Sequence, residues 1–426
     1  MKYILNPDKK DWLKLTKRPE IKLDKLYNIV NTVFDDIKKN GDNAVKKYTK
    51  EFDNANLRTL SVNNIAITNS TNKLAKELKA AILLAKNNIE KFHSSQIEKS
   101  KIIETTKGVI CWRENRAIEK VGIYIPGGTA PLFSTVLMLA IPAKLAGCKE
   151  IILCTPPNKK GEINPAILYT ASLVGVTSIY SVGGIQAIAA MTFGTQTIPK
   201  VDKIFGPGNQ FVTAAKQMAQ NFGVAIDMPA GPSEVLVVAD KTSNPAFVAA
   251  DLLSQAEHGE DSQVILLSND ENVIEKTLTE LKKQVKLLPR REVAEKALKN
   301  SRAFVLKSLK ECIEFSNLYA PEHLILAIKN SKELIPLISN AGSVFLGNYS
   351  CESAGDYASG TNHTLPTNGY SKNYSGVSLD SFVKKITFQE LTKEGIKKIG
   401  PSIELMADAE QLFAHKNAVT IRLKTI

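Results

Sequence analysis

The stretch "SIYSVGGIQAIAAMTFG", residues 178–194, contains the pattern that decides the fold. A short apolar run, typical of a buried β-strand, ends in Gly183 and Gly184, and an alanine-rich segment of helical length follows. The same order recurs at "VGIYIPGG" (121–128) and at "KIFGPGNQFVTAAKQMAQNFG" (203–223). This repetition predicts a parallel sheet whose strands are joined by crossover helices.

A second series of strands follows the turn-rich segment "DMPAGPSE" (227–234). Its apolar runs, separated by helical segments, are "EVLVVAD" (234–240), "SQVILLSN" (262–269), "AFVLKS" (303–308), "HLILAIKN" (323–330) and "SVFLGN" (343–348). The sequence therefore predicts an α/β protein with two incomplete Rossmann-like parallel-sheet units. The first hundred residues and the stretch after Gln389 are expected to be mainly helical.

Composition indicates a globular protein with sizeable cores, since 43% of the 426 residues are hydrophobic. The longest apolar stretch, "APLFSTVLMLAIPA" (130–143), contains two prolines and is shorter than the ~18 residues of a membrane span. We expect it to be a buried helix in a cytoplasmic protein without a membrane segment. The five cysteines are widely spaced and form no C-x-x-C pair, which predicts reduced thiols.

The net charge of +12 raises the question of a nucleic-acid partner. In "DKKDWLKLTKRPEIKLDK" (8–25), however, the lysines alternate with acidic and apolar residues, as on the solvated face of an amphipathic helix. The sequence has no basic stripe interleaved with aromatic residues. We therefore expect no nucleic-acid partner and rank a nucleic-acid-binding protein third among the functions considered.

Glycines stand at three strand-to-helix junctions: Gly127 and Gly128, Gly183 and Gly184, and Gly206 and Gly208. Such glycines let backbone N–H groups approach a phosphate at a helix N-terminus, which favours dinucleotide binding. The G-x-G-x-x-G pattern is absent, because Phe211 occupies its last position. Every doubly wound sheet also needs glycines in its turns, so both interpretations stay open here.

Histidines occur in polar clusters within otherwise regular segments. The clusters are Gln255 with His258 in "LLSQAEHGED" (252–261), Asp356 with His363 in "GDYASGTNH" (355–363), and Glu410 with His415 in "AEQLFAHKN" (409–417). Gln255 and His258 are three residues apart and share one helix face. Imidazole, carboxylate and amide groups without thiolate suit a catalytic zinc ion, and ordinary surface or hydrogen-bonded core residues are the alternative.

The segment "YAPEHLIL" (319–326) places Glu322 and His323 side by side just before a strand, at an edge of the predicted sheet. Neighbouring side chains at a strand end diverge unless the chain is still turning, and Pro321 favours such a turn. An imidazole with its ordinary pKa suits a general base at neutral pH. The neighbouring carboxylate can orient it or act on a different proton.

Eight motifs in order resemble the histidinol dehydrogenase family, from about residue 25 to the C-terminus. They are "YIPGGTAPLFSTVLMLA", "GGIQAIAA", "KIFGPGNQFVTAAK", "DMPAGPSEVLV", "DLLSQAEHGEDSQVILLS", "APEHL", "SAGDYASGTNHTLPT" and "AHKNAVTIR". The family oxidises L-histidinol to L-histidine, the last step of histidine biosynthesis, in two hydride transfers to NAD through bound L-histidinal. It uses one zinc ion per site and forms a homodimer.

The resemblance implies a role for each matching residue. The zinc ligands are Gln255, His258, Asp356 and His415, the last donated by the partner subunit. The substrate contacts are these four ligands with Ser233, His323, His363 and Glu410, and the NAD contacts are Tyr124, Gln186 and Asn209. The catalytic residues are Glu322 and His323. We expect His323 to remove the alcohol proton and Glu322 to deprotonate the water that adds to the aldehyde.

Four segments follow from the strand series and the resemblance together. We expect a helical N-terminal extension (1–20), a larger α/β domain with the metal and catalytic residues (21–125 plus 233–377), a second α/β domain with the NAD contacts (126–232), and a helical C-terminal extension that reaches the partner subunit (378–426). A zinc hydrolase on an α/β scaffold is the competing class, because it uses the same metal ligands without a nicotinamide.

Overall fold

The computed structural model describes residues 1–18, 24–127 and 131–426. The helices are α1 (Trp12–Leu15), α2 (Asp24–Asn40), α3 (Asp42–Asp53), α4 (Asn64–Lys73), α5 (Lys76–Ser94), α6 (Phe133–Ala146), α7 (Pro165–Val174), α8 (Gly184–Phe193), α9 (Gln210–Ala219), α10 (Pro245–Ala256), α11 (Glu271–Gln284), α12 (Arg291–Lys299), α13 (Leu309–Tyr319), α14 (Glu352–Tyr357), α15 (Lys393–Ala409) and α16 (Phe413–Leu423). The strands are β1 (Lys2–Leu5), β2 (Ile103–Thr106), β3 (Val109–Ala117), β4 (Lys120–Tyr124), β5 (Glu150–Thr155), β6 (Ser178–Ser181), β7 (Lys203–Phe205), β8 (Ala225–Ile226), β9 (Glu234–Ala239), β10 (Gln263–Ser268), β11 (Arg302–Val305), β12 (His323–Ala327), β13 (Ser343–Leu346) and β14 (Val383–Leu391).

Two parallel sheets form the body of the described chain. One has six strands in the order β1-β11-β10-β9-β12-β13, and the other has five in the order β6-β5-β4-β7-β8. Apart from the edge strand β1, both sheets have the chain order of a Rossmann sheet that lacks its sixth strand. The prediction of two incomplete Rossmann-like sheets is confirmed.

Both faces of each sheet are covered, which explains why the strands are continuous apolar runs. In β12, Leu324 and Leu326 pack into one buried cluster while Ile325 and Ala327 pack into the cluster on the opposite face. The predicted buried helix is α6, where residues 134–143 are all buried. None of the described helices combines the length and the apolar composition that a membrane span requires.

The N-terminal segment is not helical throughout, because β1 pairs in parallel with β11 at the edge of the six-stranded sheet. The strand has only four residues, and such a short run gives little periodic signal of its own. The main chain of the sheet edge supplies the hydrogen bonds that stabilise it. Within residues 1–18, the described part of the expected helical extension (1–20), the chain instead forms a strand, a 3₁₀ turn and the short helix α1.

The expected segment boundaries also differ from the sheet pairing in two places. Strand β4 pairs with β5 and β7, so residues 120–124 belong to the five-stranded sheet rather than to the larger segment 21–125. Strand β14 pairs with β3 in an antiparallel sheet that also contains β2, so the segment 378–426 contains a long strand before its helices. Most of the β14 side chains are exposed and polar, which leaves no apolar alternation for a sequence pattern to reveal.

Candidate active site

The site lies between the amino edge of the six-stranded sheet and the carboxyl edge of the five-stranded sheet. A cavity of about 840 Å³ is lined by Ser233 and Glu322, which precede β9 and β12, and by Pro126 and Asn209, which follow β4 and β7. Doubly wound sheets usually bind ligands at their carboxyl edge. The cavity adjoins the carboxyl edge of the five-stranded sheet, where this rule places a ligand, whereas the catalytic candidates lie at the amino edge of the six-stranded sheet.

Helices α10 and α14 bring together three potential metal ligands. His258 follows the last turn of α10, and Glu352 and Asp356 are four residues apart on α14, so both carboxylates share one helix face. One ligand atom from each of the three residues lies within 4.8 Å of the others. Glu352 is buried, Asp356 is half-buried, and His258 is exposed at the mouth of the cluster. This donor set of imidazole and carboxylate suits zinc or a similar divalent ion.

Gln255 lies next to this cluster and is 1% exposed. Its amide nitrogen donates a hydrogen bond to Glu352 and lies 3.2 Å from His323 Nδ1. Its carbonyl oxygen Oε1 is buried and has no hydrogen-bond partner among the residues that the structure describes. A buried polar atom without a partner marks a place where a ligand or ion is expected. The amide oxygen is the atom through which glutamine binds a metal.

The orientation of His323 follows from its hydrogen bond to the main chain. Its Nδ1 lies 3.1 Å from the carbonyl oxygen of Glu234, which can only accept, so the proton of the neutral ring is on Nδ1. Nε2 is buried, accepts no hydrogen bond from any described residue, and lies 3.6 Å from the Asp356 carboxylate. The nitrogen that is free to accept a proton therefore faces the cluster.

The carboxylates around His323 change its pKa. Burial lowers the pKa of the imidazole, but the nearby negative charges, with Glu322 first among them, outweigh burial and raise it to about 10. Burial also raises the pKa of Asp356, and the contact with His323 reverses that direction and lowers it. Without a bound cation, the two groups form an imidazolium–carboxylate pair. Carboxylates face the ring from several elements, so the pKa of His323 lies above the ordinary value that suits a general base at neutral pH.

A left-handed turn directs Glu322 and His323 into the same region. Ala320 has φ +56°, an unusual value for a residue with a Cβ, and Pro321 follows it. The Glu322 carboxylate accepts a hydrogen bond of 2.8 Å from the backbone N–H of Glu234 and lies 3.6 Å from His323 Nδ1. Burial raises the pKa of Glu322 to about 8. The expected turn before β12 is present, although the bend occurs at Ala320.

His363 connects the cluster with α6. Its Nδ1 donates to the backbone carbonyl of Asp356 at 2.8 Å, and its Nε2 accepts from the Thr135 hydroxyl at 3.0 Å. Burial lowers the pKa of His363, so the ring is neutral. His363 and Ser233 both line the cavity of about 840 Å³, as their expected contact with substrate requires.

Glu410 and His415 are separate from this group within the chain. Glu410 directly follows α15, His415 lies in α16, and both side chains are exposed. No hydrogen bond or ion pair between described residues connects them with the cluster. The chain by itself therefore brings together all of the expected substrate and metal residues except these two.

A larger cavity of about 1370 Å³ adjoins the carboxyl edge of the five-stranded sheet. Tyr124 and Asn209 line it, as their expected contact with NAD requires. The Tyr124 hydroxyl accepts a hydrogen bond of 3.1 Å from the N–H of Gly184, and Asn209 caps α9 with its side chain. Gln186 differs, because its side chain is fully buried and donates a hydrogen bond of 3.0 Å to Asp53, which lines the cavity.

Close packing explains three of the six glycines at the strand ends, and Gly128 lies outside the described residues. A Cβ on Gly127 or Gly183 would come within 2.2 Å or 2.4 Å of the Pro156 ring. A Cβ on Gly206, which has φ +128°, would come within 2.1 Å of the Tyr124 carbonyl oxygen. Of the two interpretations of these turns, tight packing of the loops accounts for these three glycines without a phosphate.

The sequence patterns missed four residues that contact the candidate site or fix its loops. Glu352 was detectable from its spacing of four residues from Asp356, once that segment was assigned as helix. Asp53 gave no pattern, because its partner Gln186 is 133 residues away. Lys216 and Asp227 form a buried ion pair, and both bond the backbone of Gly206 at 2.8 Å in the loop before Asn209. Such long-range pairs leave no local signal.

Two Rossmann-like sheets, a buried imidazole–carboxylate cluster and an adjoining cavity together define a two-sheet α/β enzyme. The family model described as histidinol dehydrogenase matches residues 16–423, and the chain therefore belongs to the histidinol dehydrogenase family.

Several relatives with this name match the whole chain. The histidinol dehydrogenase of Bacteroides thetaiotaomicron is 58% identical over 426 residues, which are 100% of both chains. That of Bacteroides fragilis is 57% identical over the same length, again with 100% of both chains. The crystal structure of histidinol dehydrogenase from Elizabethkingia anophelis has a TM-score of 0.98 and 66% identity, covering 100% of this chain and 98% of that one.

Proposed function

We propose that this protein oxidises L-histidinol to L-histidine through bound L-histidinal, in two hydride transfers to NAD. One observation carries the proposal. His258 forms a cluster with Glu352 and Asp356, and it also lines, together with Glu322, the cavity that reaches the carboxyl edge of a Rossmann-like sheet. This arrangement lets a substrate held at the cluster meet a dinucleotide held at the sheet. Membership of the family supports the same reaction.

The residues of the cluster fit a zinc ion. Gln255 offers a buried amide oxygen without a partner, His258 an imidazole and Asp356 a carboxylate, and the fourth expected ligand is His415 of a second copy of the chain. A bound zinc ion would supply a positive centre that orients the substrate's nitrogen atoms. Glu352 accepts a hydrogen bond from Gln255 and would be a further carboxylate available to the ion.

NAD, when bound in the cavity of about 1370 Å³, would supply the hydride acceptor. Pro126 and Asn209 line both this cavity and the smaller one, so the reacting end of the cofactor belongs near them. Tyr124 lines only the larger cavity and belongs to the more remote part of the binding site. The buried Lys216–Asp227 pair keeps the Gly206–Asn209 loop in position.

His323 and Glu322 carry out the proton transfers. His323 presents Nε2 toward the cluster and is held at Nδ1 by the Glu234 carbonyl. A cation bound at Asp356 would favour the neutral ring, and in that form His323 is placed to take the proton of the substrate's alcohol. Glu322 has a pKa raised to about 8, close to neutral pH, which suits transfer of a proton from the water that adds to the aldehyde. Burial of both groups limits competing reactions with solvent.

The active form is a homodimer with shared sites. Helix α16 has no buried residue within the chain, and the apolar side chains of Leu405 and Phe413 are 73% and 65% exposed. Apolar residues on the C-terminal helices beside Glu410 and His415 favour contact with a second copy, which would deliver both groups to a site.

A cytoplasmic location also stays a prediction, and the five free cysteines agree with a reducing compartment.

The stoichiometry of the reaction tests this function. Purified protein loaded with zinc is mixed with histidinol and excess NAD, and NADH absorbance is compared with histidinol consumed. Two NADH per histidinol support the proposal. A ratio of one, or no NADH, overturns it, and a zinc hydrolase would form none.

A further inference from the structure

Asp53 offers an ionisable group to the larger cavity. It is the last residue of α3, its side chain is half-buried, and it lines the cavity together with Tyr124 and Asn209. Gln186 lies behind it and is 0% exposed, so the carboxylate rather than the amide faces the cavity. The polar group presented to a ligand at this point is therefore Asp53.

The Asp53 carboxylate has no positive partner among the described residues. It accepts one hydrogen bond, of 3.0 Å, from the neutral amide nitrogen of Gln186. Burial raises the pKa of Asp53 to about 6, and the Gln186 bond only partly opposes this. At neutral pH the group is a mainly ionised carboxylate with spare acceptor positions and no counter-charge. It therefore favours a ligand that donates hydrogen bonds and disfavours an anion.

The position of Asp53 indicates which part of the cofactor it meets. Pro126 and Asn209 line both cavities and mark the end where hydride is transferred. Asp53 and Tyr124 line only the larger cavity, farther from the reacting end. The hydroxyl donors of a dinucleotide in that part are those of the adenosine ribose. In Rossmann sheets a carboxylate commonly accepts from this ribose and excludes a 2′-phosphate.

We propose that Asp53 accepts a hydrogen bond from the adenosine ribose 2′-hydroxyl and selects NAD over NADP, with Gln186 as the positioning residue that orients it. This inference rests on the proposed function, because it needs a dinucleotide in the larger cavity. It assigns the cofactor contact to Asp53 and a supporting role to Gln186. A 2′-phosphate at the same place brings like charges together, which weakens binding.

Direct binding measurements on the zinc-loaded protein test the proposal. Calorimetric titrations give the Kd of NAD, of NADP and of an NAD analogue that lacks the adenosine 2′-hydroxyl. Parent protein should bind NAD about tenfold or more tightly than the deoxy analogue, the size expected for a hydrogen bond to a charged group. In Asp53→Ala this difference should disappear, and in Asp53→Asn the ratio of NADP affinity to NAD affinity should rise about tenfold.

Two further variants separate the proposal from a general effect. Asp35→Asn removes one exposed negative charge from the neighbouring helix α2 and should leave all three affinities unchanged. Gln186→Ala should reduce the difference between NAD and the deoxy analogue without abolishing NAD binding. In the Asp53 variants and in Gln186→Ala, the KM for NAD should rise, while kcat and the KM for histidinol should stay near their parental values.

The outcomes distinguish failure of this inference from failure of the proposed function. Parent protein that binds NAD and the deoxy analogue equally overturns the role of Asp53, and this comparison needs no variant. Asp53 variants that keep the parental ratio of NADP to NAD affinity, or an Asp35→Asn variant with the same shift, also overturn it. Parent protein that binds no NAD and forms no NADH overturns the proposed function itself.

Discussion

Arg18 and Glu234 form a two-point ion pair that joins the N-terminal segment to the active site. The guanidinium contacts both carboxylate oxygens, with Nη2 at 2.8 Å from Oε2, and the two side chains are only 15% and 3% exposed. Arg18 also lies 3.9 Å from the centre of the Tyr319 ring. The backbone of Glu234 in turn bonds Glu322 through its N–H and His323 through its carbonyl. Arg18, which also lines the cavity, is far from Glu322 and His323 in sequence and supports both of them through Glu234.

Replacement of Arg18 should reduce both stability and turnover. Arg18→Ala leaves the buried Glu234 carboxylate without its counter-charge, a change that typically costs about 3–5 kcal/mol of the free energy of unfolding. Arg18→Lys keeps the charge and loses the two-point geometry, so it should be intermediate. Urea denaturation measures the first effect and kcat of the folded protein the second. An Arg18→Ala protein with parental stability would contradict the importance of the pair.

Removal of zinc should stop turnover and lower the thermal midpoint of unfolding, and added zinc should restore both. In His258→Ala, added zinc should no longer raise the midpoint, because one of the clustered ligands is missing. Glu257→Gln changes the adjacent residue outside the cluster and serves as the matched control. Full activity of a chelated protein, verified as free of metal by elemental analysis, would exclude the zinc site.

Glu322→Gln should separate the two oxidations. The amide keeps the size of the side chain but cannot take a proton from water, so oxidation of supplied histidinal should fall by about 100-fold or more. Oxidation of histidinol to the aldehyde level should be much less affected, because His323 acts on the alcohol. Single-turnover measurements of each half-reaction give both values, with Glu333→Gln, an exposed change, as the control. Equal losses in both half-reactions would show that Glu322 and His323 do not act in separate oxidation steps.

Subunit mixing tests the origin of His415. Each of His415→Ala and His258→Ala should be inactive alone. A heterodimer of the two has one site with His258 from one subunit and His415 from the other, so mixing should restore part of the activity. Exchange of subunits is verified by mass spectrometry of tagged chains. Verified heterodimers without activity would mean that each chain supplies its own His415.

Asp53 makes stability depend on pH in a predictable direction. Its pKa is raised by burial from 3.8 to about 6, so the folded state holds the proton more tightly than the unfolded state. The contribution of Asp53 to the free energy of unfolding therefore falls as the pH rises through this range and is constant above it. Asp53→Asn lacks this fall, so its stability relative to the parent should be higher at pH 8 than at pH 4. Urea midpoints at the two pH values measure the difference, and a difference of the opposite sign would contradict the assigned burial.

The sequence alone determined the two parallel sheets and their buried crossover helices. Strands such as β9 and β12 are buried on both faces, so their apolar runs are a local signal that needs no knowledge of their partners. The polar clusters at Gln255 and His258 and at Asp356 and His363 were also visible, because polar groups interrupt segments that are otherwise apolar. The family motifs added the roles of these residues.

Only the tertiary structure decided how these groups meet. Gln255 contacts His323 across 68 residues and Glu352 across 97, and no local pattern encodes such distances. The position of the catalytic candidates at the amino edge of one sheet depends on a left-handed turn at Ala320 and on the carboxyl edge of the other sheet facing it. The burial of Gln186 behind Asp53 was also decided only by the tertiary structure, because the two residues are 133 positions apart. Side-chain direction and neighbouring charge arise from packing between segments, and they also set the pKa of His323.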